Sequence, residues 1–381
     1  MPLCKCLVNI FINGDLERII YSDIEIYNEN LYEKLNIAGK FYNNYVNMIS
    51  ERVIMKVAQI ENNNLVIKER EDEILAGRKG AIVKVLGCGL CGSDIVKLKQ
   101  HISKDGTVLG HEIVAEIIDI DSETEFRVGD VIITSHHIPC GKCEYCKNGN
   151  VSMCRHFKET NIKPGGFSEF VFVSEEHLKN VAYLKPENLS NDEAAFYEPL
   201  GCCIRAVKRA NLNQNSTALV IGLGSIGILM AQALRAFGMK VIGCDLISAR
   251  VELLQNLGIE AFNVNEMCES IKADCVFMTS GSDKALPTAL KYIRDGGKIL
   301  VFSSTPQNMG YANNEIYYRE LTVLGSYSPS PQDLKDSYEL LKNKQVKVKG
   351  LSTEYSLEQV QKAINDTVEN KILKAYIKIH S

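Results

Sequence analysis

Four cysteines crowd into the segment "CGKCEYCKNGNVSMC", residues 140–154. Their spacing, C-x2-C-x2-C-x7-C, lets one short loop surround a tetrahedral ion with four thiolates. An iron–sulfur cluster is the competing interpretation, but the common ferredoxin run closes with a shorter last gap. Four exposed thiols without a metal would be open to oxidation. The pattern therefore predicts a structural zinc site with the ligands Cys140, Cys143, Cys146 and Cys154.

A second set of possible metal ligands lies upstream of this loop, in "CGLCGSD" and "GHE". Cys91, His111 and Glu112 offer sulfur, nitrogen and oxygen atoms suited to zinc. A catalytic zinc keeps about three protein ligands and leaves a position for water or substrate. Taken singly, Cys91 or His111 is more often a packed core residue than a ligand. Together they predict a catalytic metal site.

Three glycines in "VIGLGSIG", namely Gly222, Gly224 and Gly227, follow a predicted strand and open a predicted helix. Such glycines allow a tight turn, a close approach of backbone to a pyrophosphate and close helix packing. The helix N-terminus then favours the anion. A glycine triplet alone also fits a tight turn without a ligand, but Asp245 ends the next predicted strand. A carboxylate there binds ribose hydroxyls and repels a 2′-phosphate, which predicts NAD rather than NADP.

Two sequence patterns surround these residues. From Val53 to about Tyr183 the chain has short β-rich runs separated by glycine and proline, which predicts a mostly β domain. From Ser190 helical and apolar strand patterns alternate, which predicts a parallel sheet with crossover helices. The fold class is therefore α/β, with a doubly wound parallel sheet beside the mostly β part.

These patterns predict three regions along the chain. Residues 1–50 form an N-terminal extension with a hairpin pattern around Asn13 and Gly14 and no chemical motif. A catalytic domain covers residues 51–189 and is completed by residues 328–381. An NAD-binding domain covers residues 190–327.

Composition excludes several classes of protein. A net charge of −4 gives no basic surface for nucleic acid. No stretch approaches the roughly 20 uninterrupted apolar residues of a membrane span. The apolar N-terminal run is interrupted by Asn9 and lacks a small-residue cleavage site, so it is a poor signal peptide. Thirteen cysteines, an odd number, favour thiols and metal ligands over disulfides, and we expect a cytoplasmic protein.

The motifs "GLCGSD", "GHE", "GDVI", "CGKCEYCKNGNVSMC", "EPL" and "GLGSIG" precede the strand ending at Asp245, in that order. With them the chain resembles the zinc-dependent medium-chain dehydrogenase/reductase family, and within it the polyol (sorbitol-like) and threonine dehydrogenase branch. The resemblance covers about residues 53–381. It implies a GroES-like catalytic domain, a Rossmann domain, two Zn²⁺ ions and NAD. It also implies a small-molecule alcohol substrate and a homodimer or homotetramer.

The resemblance also implies roles for residues around the catalytic zinc. Cys91 and His111 correspond to zinc ligands, and Ser93 to the hydroxyl that takes the substrate proton. Glu112 and Glu198 of "EPL" correspond to carboxylates that bind the ion directly or through its water, and which of them binds directly stays open. Asp94 corresponds to the acceptor that orients the ligating histidine. From the residues alone, Asp94 also fits a turn cap, and Glu198 fits a helix cap.

Three further residues fall at positions that contact NAD in sorbitol-type members: Ile226, Asp245 and Arg250. Arg250 also fits a solvated helix charge. The chain departs from the family pattern at Val96, where a histidine usually ends the proton relay, so His101 or solvent would serve instead. It also has Ala115 where polyol members have glycine.

The reaction implied is oxidation of a secondary hydroxyl of a polyol, sugar or cyclitol. Zinc acts as a Lewis acid on the alcohol, Ser93 accepts the proton, and hydride passes to the nicotinamide C4. Two alternatives stay open. One is an amino-alcohol dehydrogenase of the threonine type, which needs an extra carboxylate for a cationic substrate. The other is an NAD-binding sensor or scaffold without turnover.

Overall fold

A computed structural model of the chain describes residues 53–72, 78–304 and 313–380. The predicted N-terminal extension, with its hairpin, lies outside the described residues. Within these ranges no helix has the length and apolar character needed to cross a bilayer.

The first half of the described chain is built mainly of short strands. They are β1 (Val53–Glu61), β2 (Asn64–Asp72), β3 (Gly80–Gly89), β4 (Glu112–Asp121), β5 (Val131–Thr134), β6 (Phe170–Ser174) and β7 (Tyr183–Leu184). Asn62 and Asn63 both have positive φ and join β1 to β2 as a two-residue hairpin turn. The helices between these strands and just after β7 are short: α1 (Gly92–Lys99), α2 (Glu144–Lys147), α3 (Arg155–Glu159), α4 (Glu175–Val181) and α5 (Asn191–Ala194).

Helices and strands alternate in the second half. The helices are α6 (Tyr197–Ala210), α7 (Ser225–Ala236), α8 (Ser248–Asn256), α9 (Ala285–Tyr292) and α10 (Asn313–Tyr318). The strands are β8 (Thr217–Ile221), β9 (Lys240–Asp245), β10 (Glu260–Asn263), β11 (Ala273–Met278), β12 (Ile293–Val301) and β13 (Thr322–Gly325). The C-terminal part adds α11 (Pro331–Lys342), β14 (Thr353–Ser356), α12 (Val360–Val368) and β15 (Ala375–Lys378).

Strands β8 to β13 form a parallel sheet in the order β10-β9-β8-β11-β12-β13. Counted along the chain, this is the order 3-2-1-4-5-6 of dinucleotide-binding Rossmann sheets. The order reverses between β8 and β11, and ligands bind beyond the carboxyl ends of strands at such a point. The predicted doubly wound parallel sheet is confirmed.

The other large sheet has the order β14-β15-β3-β4-β5-β7, and β6 pairs with β3. Strand β15, from the end of the chain, pairs antiparallel with β3, and β3 pairs antiparallel with β4. The chain therefore leaves this sheet, builds the parallel sheet and returns. Helix α6 contacts β4 and β5 of one sheet and β12 of the other, so its side chains reach the space between them.

Candidate active site

Cys91 lies just before helix α1 and serves as its N-cap residue. The Asp94 carboxylate accepts a hydrogen bond from the Cys91 backbone N–H at 3.3 Å, and the Asp94 N–H donates to the Cys91 carbonyl oxygen at 3.1 Å. A helix N-terminus favours negative charge. The local fold thus fixes Cys91 at the start of α1, next to Asp94.

His111 lies beside Asp94, with 3.5 Å between its Nδ1 and the Asp94 Oδ1. Both side chains are buried. Burial lowers the pKa of His111, but the charges of Asp94 and Cys91 outweigh it and raise the pKa well above its ordinary value. The position of Asp94 suits an acceptor that orients a metal-binding imidazole.

Glu112 begins strand β4 and pairs in register with Gly89, the last residue of β3. A side chain at position 89 would collide with the Glu112 carboxylate, so glycine leaves the room that Glu112 occupies. Lys374 approaches from the segment before β15, with Nζ 2.7 Å from Oε1 and 2.5 Å from Oε2 of Glu112. Both residues are buried. Sequence patterns did not single out Lys374.

Glu198 is the second residue of helix α6 and is buried. Its Oε1 accepts a weak hydrogen bond from the Cys202 thiol, one turn later, at 3.5 Å. Burial raises the pKa of Glu198, and the nearby positive His111 opposes this rise. Among the described residues, the hydrogen bond from Cys202 is weak, so the buried Glu198 carboxylate suits a further partner such as a metal ion.

The donor set fits a zinc ion. Cys91, His111 and Glu112 place their ligand atoms within 4.8 Å of one another, and so do His111, Glu198 and His136. Cys91, Glu112, Glu198 and Asp94 offer four acidic groups, and Lys374 adds one ammonium group beside them. The cluster thus has the ligand types of a catalytic zinc and a surplus of acidic groups that favours a dication. His136, which sequence patterns did not single out, faces the same cluster.

The residues of the predicted proton path lie on helix α1 and just after it. Ser93 is exposed, and Val96, one turn later, is half-buried. His101 is also exposed and lines a groove of about 260 Å³ with residues of α12. Ser93 is not among the residues that line this groove.

The glycine loop lies between β8 and helix α7. Gly222 has a φ of +93°, and a side chain there would press on Ser280. Gly224 is the N-cap residue of α7 and has open space where a side chain would be, which suits close approach of a ligand. A side chain at Gly227 would collide with the Gly222 carbonyl oxygen. Ile226 follows in the first turn of α7 and is half-buried.

Asp245 ends strand β9, next to this loop. Its Oδ2 accepts a hydrogen bond from the Leu223 N–H at 2.6 Å, and its Oδ1 accepts one from the Ile247 N–H at 2.9 Å. Arg250 lies 3.7 Å from the same carboxylate and also donates to the Asn370 side chain at 2.8 Å. Asp245 therefore holds the loop in shape at the place where a ribose would bind.

The Cys loop brings its four thiols together, with all four sulfur atoms within 4.8 Å of one another. The sulfur atoms of Cys143 and Cys146 are 3.6 Å apart, and those of Cys140 and Cys146 are 4.0 Å apart. Thiolates at the vertices of a tetrahedron around zinc are about 3.8 Å apart, given Zn–S bonds of about 2.3 Å. All eleven cysteines in the described ranges are free thiols, so the loop is not a disulfide framework.

Comparison with known proteins gives two family matches. Residues 77–183 match the alcohol dehydrogenase GroES-like domain, and residues 225–343 match the zinc-binding dehydrogenase family. A sorbitol dehydrogenase of Halalkalibacterium halodurans is 30% identical over 328 residues, covering 81% of this chain and 94% of the relative. A D-xylulose reductase A of Aspergillus oryzae is 31% identical over 327 residues, covering 78% and 88%.

A solved structure has the same fold. Acetophenone reductase from Geotrichum candidum, in complex with NAD, superposes with a TM-score of 0.74 at 21% identity, covering 86% of this chain and 98% of that chain. These matches confirm the predicted fold class, and the family match confirms zinc as a cofactor. The chain belongs to the zinc-dependent medium-chain dehydrogenase/reductase family, in the branch that includes the sorbitol dehydrogenase relative.

Proposed function

We propose that the protein oxidises a secondary hydroxyl of a polyol, sugar or cyclitol and transfers the hydride to NAD. One observation carries this proposal: two buried carboxylates, Glu112 and Glu198, lie beside Cys91 and His111 in a chain that also has a dinucleotide loop. Such a polar cluster suits a hydroxylated substrate, because an apolar ligand would leave buried polar groups unpaired. The sorbitol dehydrogenase and D-xylulose reductase relatives support the same substrate class.

Each residue of this cluster would have its own role in catalysis. Cys91 and His111 would hold the zinc with one or both carboxylates, and Asp94 would keep the His111 ring in place. The zinc would supply a Lewis acid that lowers the pKa of the alcohol. Lys374 neutralises Glu112, which allows a second carboxylate to stay near it. Helix α6 contacts both sheets, which supports a role for Glu198 near the point where substrate and cofactor would meet.

Ser93 would take the proton of the substrate hydroxyl. Its exposed position supports transfer from Ser93 to solvent, since Val96 cannot relay a proton. His101 stays an alternative end of this path.

The cofactor would bind along the glycine loop, with its pyrophosphate at the start of α7 near Gly222, Gly224 and Gly227. Ile226 would line that site. Asp245 would accept the ribose hydroxyls and exclude the phosphate of NADP. Arg250 would hold Asp245 and contact the adenosine end. The Cys loop would hold a second, structural zinc through Cys140, Cys143, Cys146 and Cys154.

We also infer a homodimer or homotetramer. Strand β13 ends the parallel sheet, and no strand of the described ranges covers its outer edge. Three exposed tyrosines, Tyr317, Tyr318 and Tyr327, lie close to this edge in the sequence and are 74%, 78% and 61% exposed. An open edge and exposed aromatic residues are typical of an interface. The free thiols also suit the reducing cytoplasm.

A substrate screen tests the proposed activity. The zinc-loaded protein is given NAD with polyols, cyclitols, sugar phosphates, amino alcohols such as threonine, or simple alcohols, and NADH formation is followed. We expect polyols or cyclitols to be oxidised fastest. Preference for an amino alcohol would favour the threonine-type reaction, and no NADH with any substrate would favour a sensor or scaffold.

A further inference from the structure

Two adjacent histidines lie between β5 and the Cys loop, and the function proposed above uses neither. The ring of His136 packs against that of His111, with the centroids 4.4 Å apart, and against that of His137 at 3.9 Å. Ligand atoms of His136, His111 and Glu198 all lie within 4.8 Å of one another. His136 thus belongs to the wall of the candidate active site.

The main chain at His136 is held firmly. Its carbonyl oxygen accepts a hydrogen bond from Nε2–H of the buried His177 at 3.1 Å, and the Nδ1 of His177 accepts one from the Ser174 hydroxyl at 2.7 Å. His137 is fixed separately, because its Nδ1–H donates to the Thr160 carbonyl oxygen at 2.5 Å. The ring of His136 is therefore packed between two neighbouring rings on a fixed backbone.

One atom of this packed ring lacks a partner. The Nδ1 of His136 is buried and makes no hydrogen bond within the part of the chain that the structure describes. An unpaired buried polar atom is costly, so a partner from outside the chain is expected. An imidazole nitrogen can donate or accept a hydrogen bond, so a hydroxyl group can satisfy it.

The metal is not the best partner for His136. A catalytic zinc keeps about three protein ligands and an open position. Cys91, His111 and the two carboxylates already supply at least that number. A further imidazole ligand would close the position that the substrate needs.

On the basis of the function proposed above, we propose that His136 is a substrate-binding residue that hydrogen-bonds the hydroxyl next to the one being oxidised. The second hydroxyl of a vicinal diol then hydrogen-bonds the buried Nδ1 of His136, whereas a simple alcohol leaves this nitrogen without a partner. Sites built to pair with a polar group discriminate strongly against analogues that lack it. His136 would therefore help to select vicinal diols.

The test compares 2,3-butanediol with 2-butanol, which lacks the second hydroxyl. His136→Phe keeps an aromatic ring in the stack and removes both nitrogens, and His136→Asn restores a polar atom near the position of Nδ1. His137→Phe is the matched control, because its nitrogen is already paired with the backbone. The measurements are kcat/KM with NAD, zinc content, and binding of 2,3-butanediol to the enzyme–NADH complex, in which no oxidation can occur.

We expect His136→Phe to lower kcat/KM for the diol about ten- to a hundredfold and to weaken its binding to the NADH complex, with little change for 2-butanol. His136→Asn should recover part of the loss, and His137→Phe should keep the wild-type ratio. An equal loss on both alcohols would overturn the inference. Loss of one zinc in His136→Phe would do so too, by making His136 a ligand. A wild-type enzyme inactive on every alcohol would contradict the proposed function itself.

Discussion

Lys374 and Glu112 form a buried ion pair between residues 262 positions apart in the chain. Removing one partner of such a pair leaves an uncompensated charge in the interior. We therefore expect Lys374→Met to lower the free energy of unfolding by about 3–5 kcal/mol. The double variant Lys374→Met/Glu112→Gln should recover much of this loss, as measured by denaturant unfolding.

Lys378→Met is the matched control, since Lys378 pairs with Glu354 at the surface and should contribute little. Burial lowers the pKa of Lys374, but Glu112 and Cys91 outweigh it and raise the pKa above its ordinary value. The stabilisation from the pair is therefore fully present below the ordinary lysine pKa and is lost only as pH rises beyond it. Additive losses in the double variant would argue against a coupled pair.

A variant of His111 tests its proposed role as a zinc ligand separately from cofactor binding. His111→Ala removes a proposed zinc ligand that is not part of the glycine loop, so turnover should fall below detection while NAD affinity stays within about twofold. Zinc content should fall by one ion per chain. His156→Ala changes a half-exposed histidine outside the cluster and should leave both properties intact. An active His111→Ala protein would rule out His111 as an essential ligand.

Among the elements, the Cys loop combines two short turns of helix with four ligands and little apolar core of its own. A structural zinc then supplies much of its folding energy. Cys143→Ser should remove one zinc per chain and lower the melting temperature by several degrees, with NADH formation retained at low temperature. Cys268→Ser, at an exposed thiol outside both clusters, should change neither. A Cys143→Ser protein that keeps two zincs would contradict this assignment.

Asp245, at the end of strand β9, is the residue that we expect to determine the preference for NAD over NADP. Wild-type kcat/KM should favour NAD at least about tenfold, equivalent to about 1.4 kcal/mol. Asp245→Asn should reduce the preference for NAD over NADP, because it removes the negative charge that repels the 2′-phosphate of NADP. The matched control is Asp274→Asn, since Asp274 also accepts a backbone N–H and pairs with an arginine in the same sheet. A wild-type preference for NADP would show that Arg250 dominates the pocket.

The sequence predicts those elements whose chemistry is local. The four cysteines of the Cys loop lie within 15 residues, so their spacing alone predicts a metal site. The glycine loop is predicted by its three glycines together with Asp245 at the end of the next strand. Strand β10 (Glu260–Asn263) is not predicted from the sequence, because four residues are too few to show a clear periodicity of apolar side chains. The role of Lys374 is not predicted either, because this residue is brought to Glu112 only by the pairing of β15 with β3. The position of His136 in the site is not predicted, because the packing of its ring on His111 depends on the path of the chain after β5.

At the scale of the whole molecule, helix α6 contacts strands of both sheets, and the chain returns from the parallel sheet to the first sheet at β14 and β15. A metal cluster on one sheet and a dinucleotide loop on the other suit hydride transfer between a bound alcohol and a bound nicotinamide. Because no strand of the described residues covers the outer edge of β13, we predict that the unit in solution contains two or four chains. Light scattering after size-exclusion chromatography measures this, and a strictly monomeric mass would contradict it.

The ratio of kcat/KM for a vicinal polyol to that for 2-butanol, with NAD and two zincs per chain, tests the central claim most directly. We predict that the best polyol or cyclitol exceeds 2-butanol by well over tenfold, and that removal of zinc abolishes both activities. Glu198→Gln should lower the ratio. Full activity without zinc, or 2-butanol and ethanol oxidised as efficiently as every polyol tested, would contradict it.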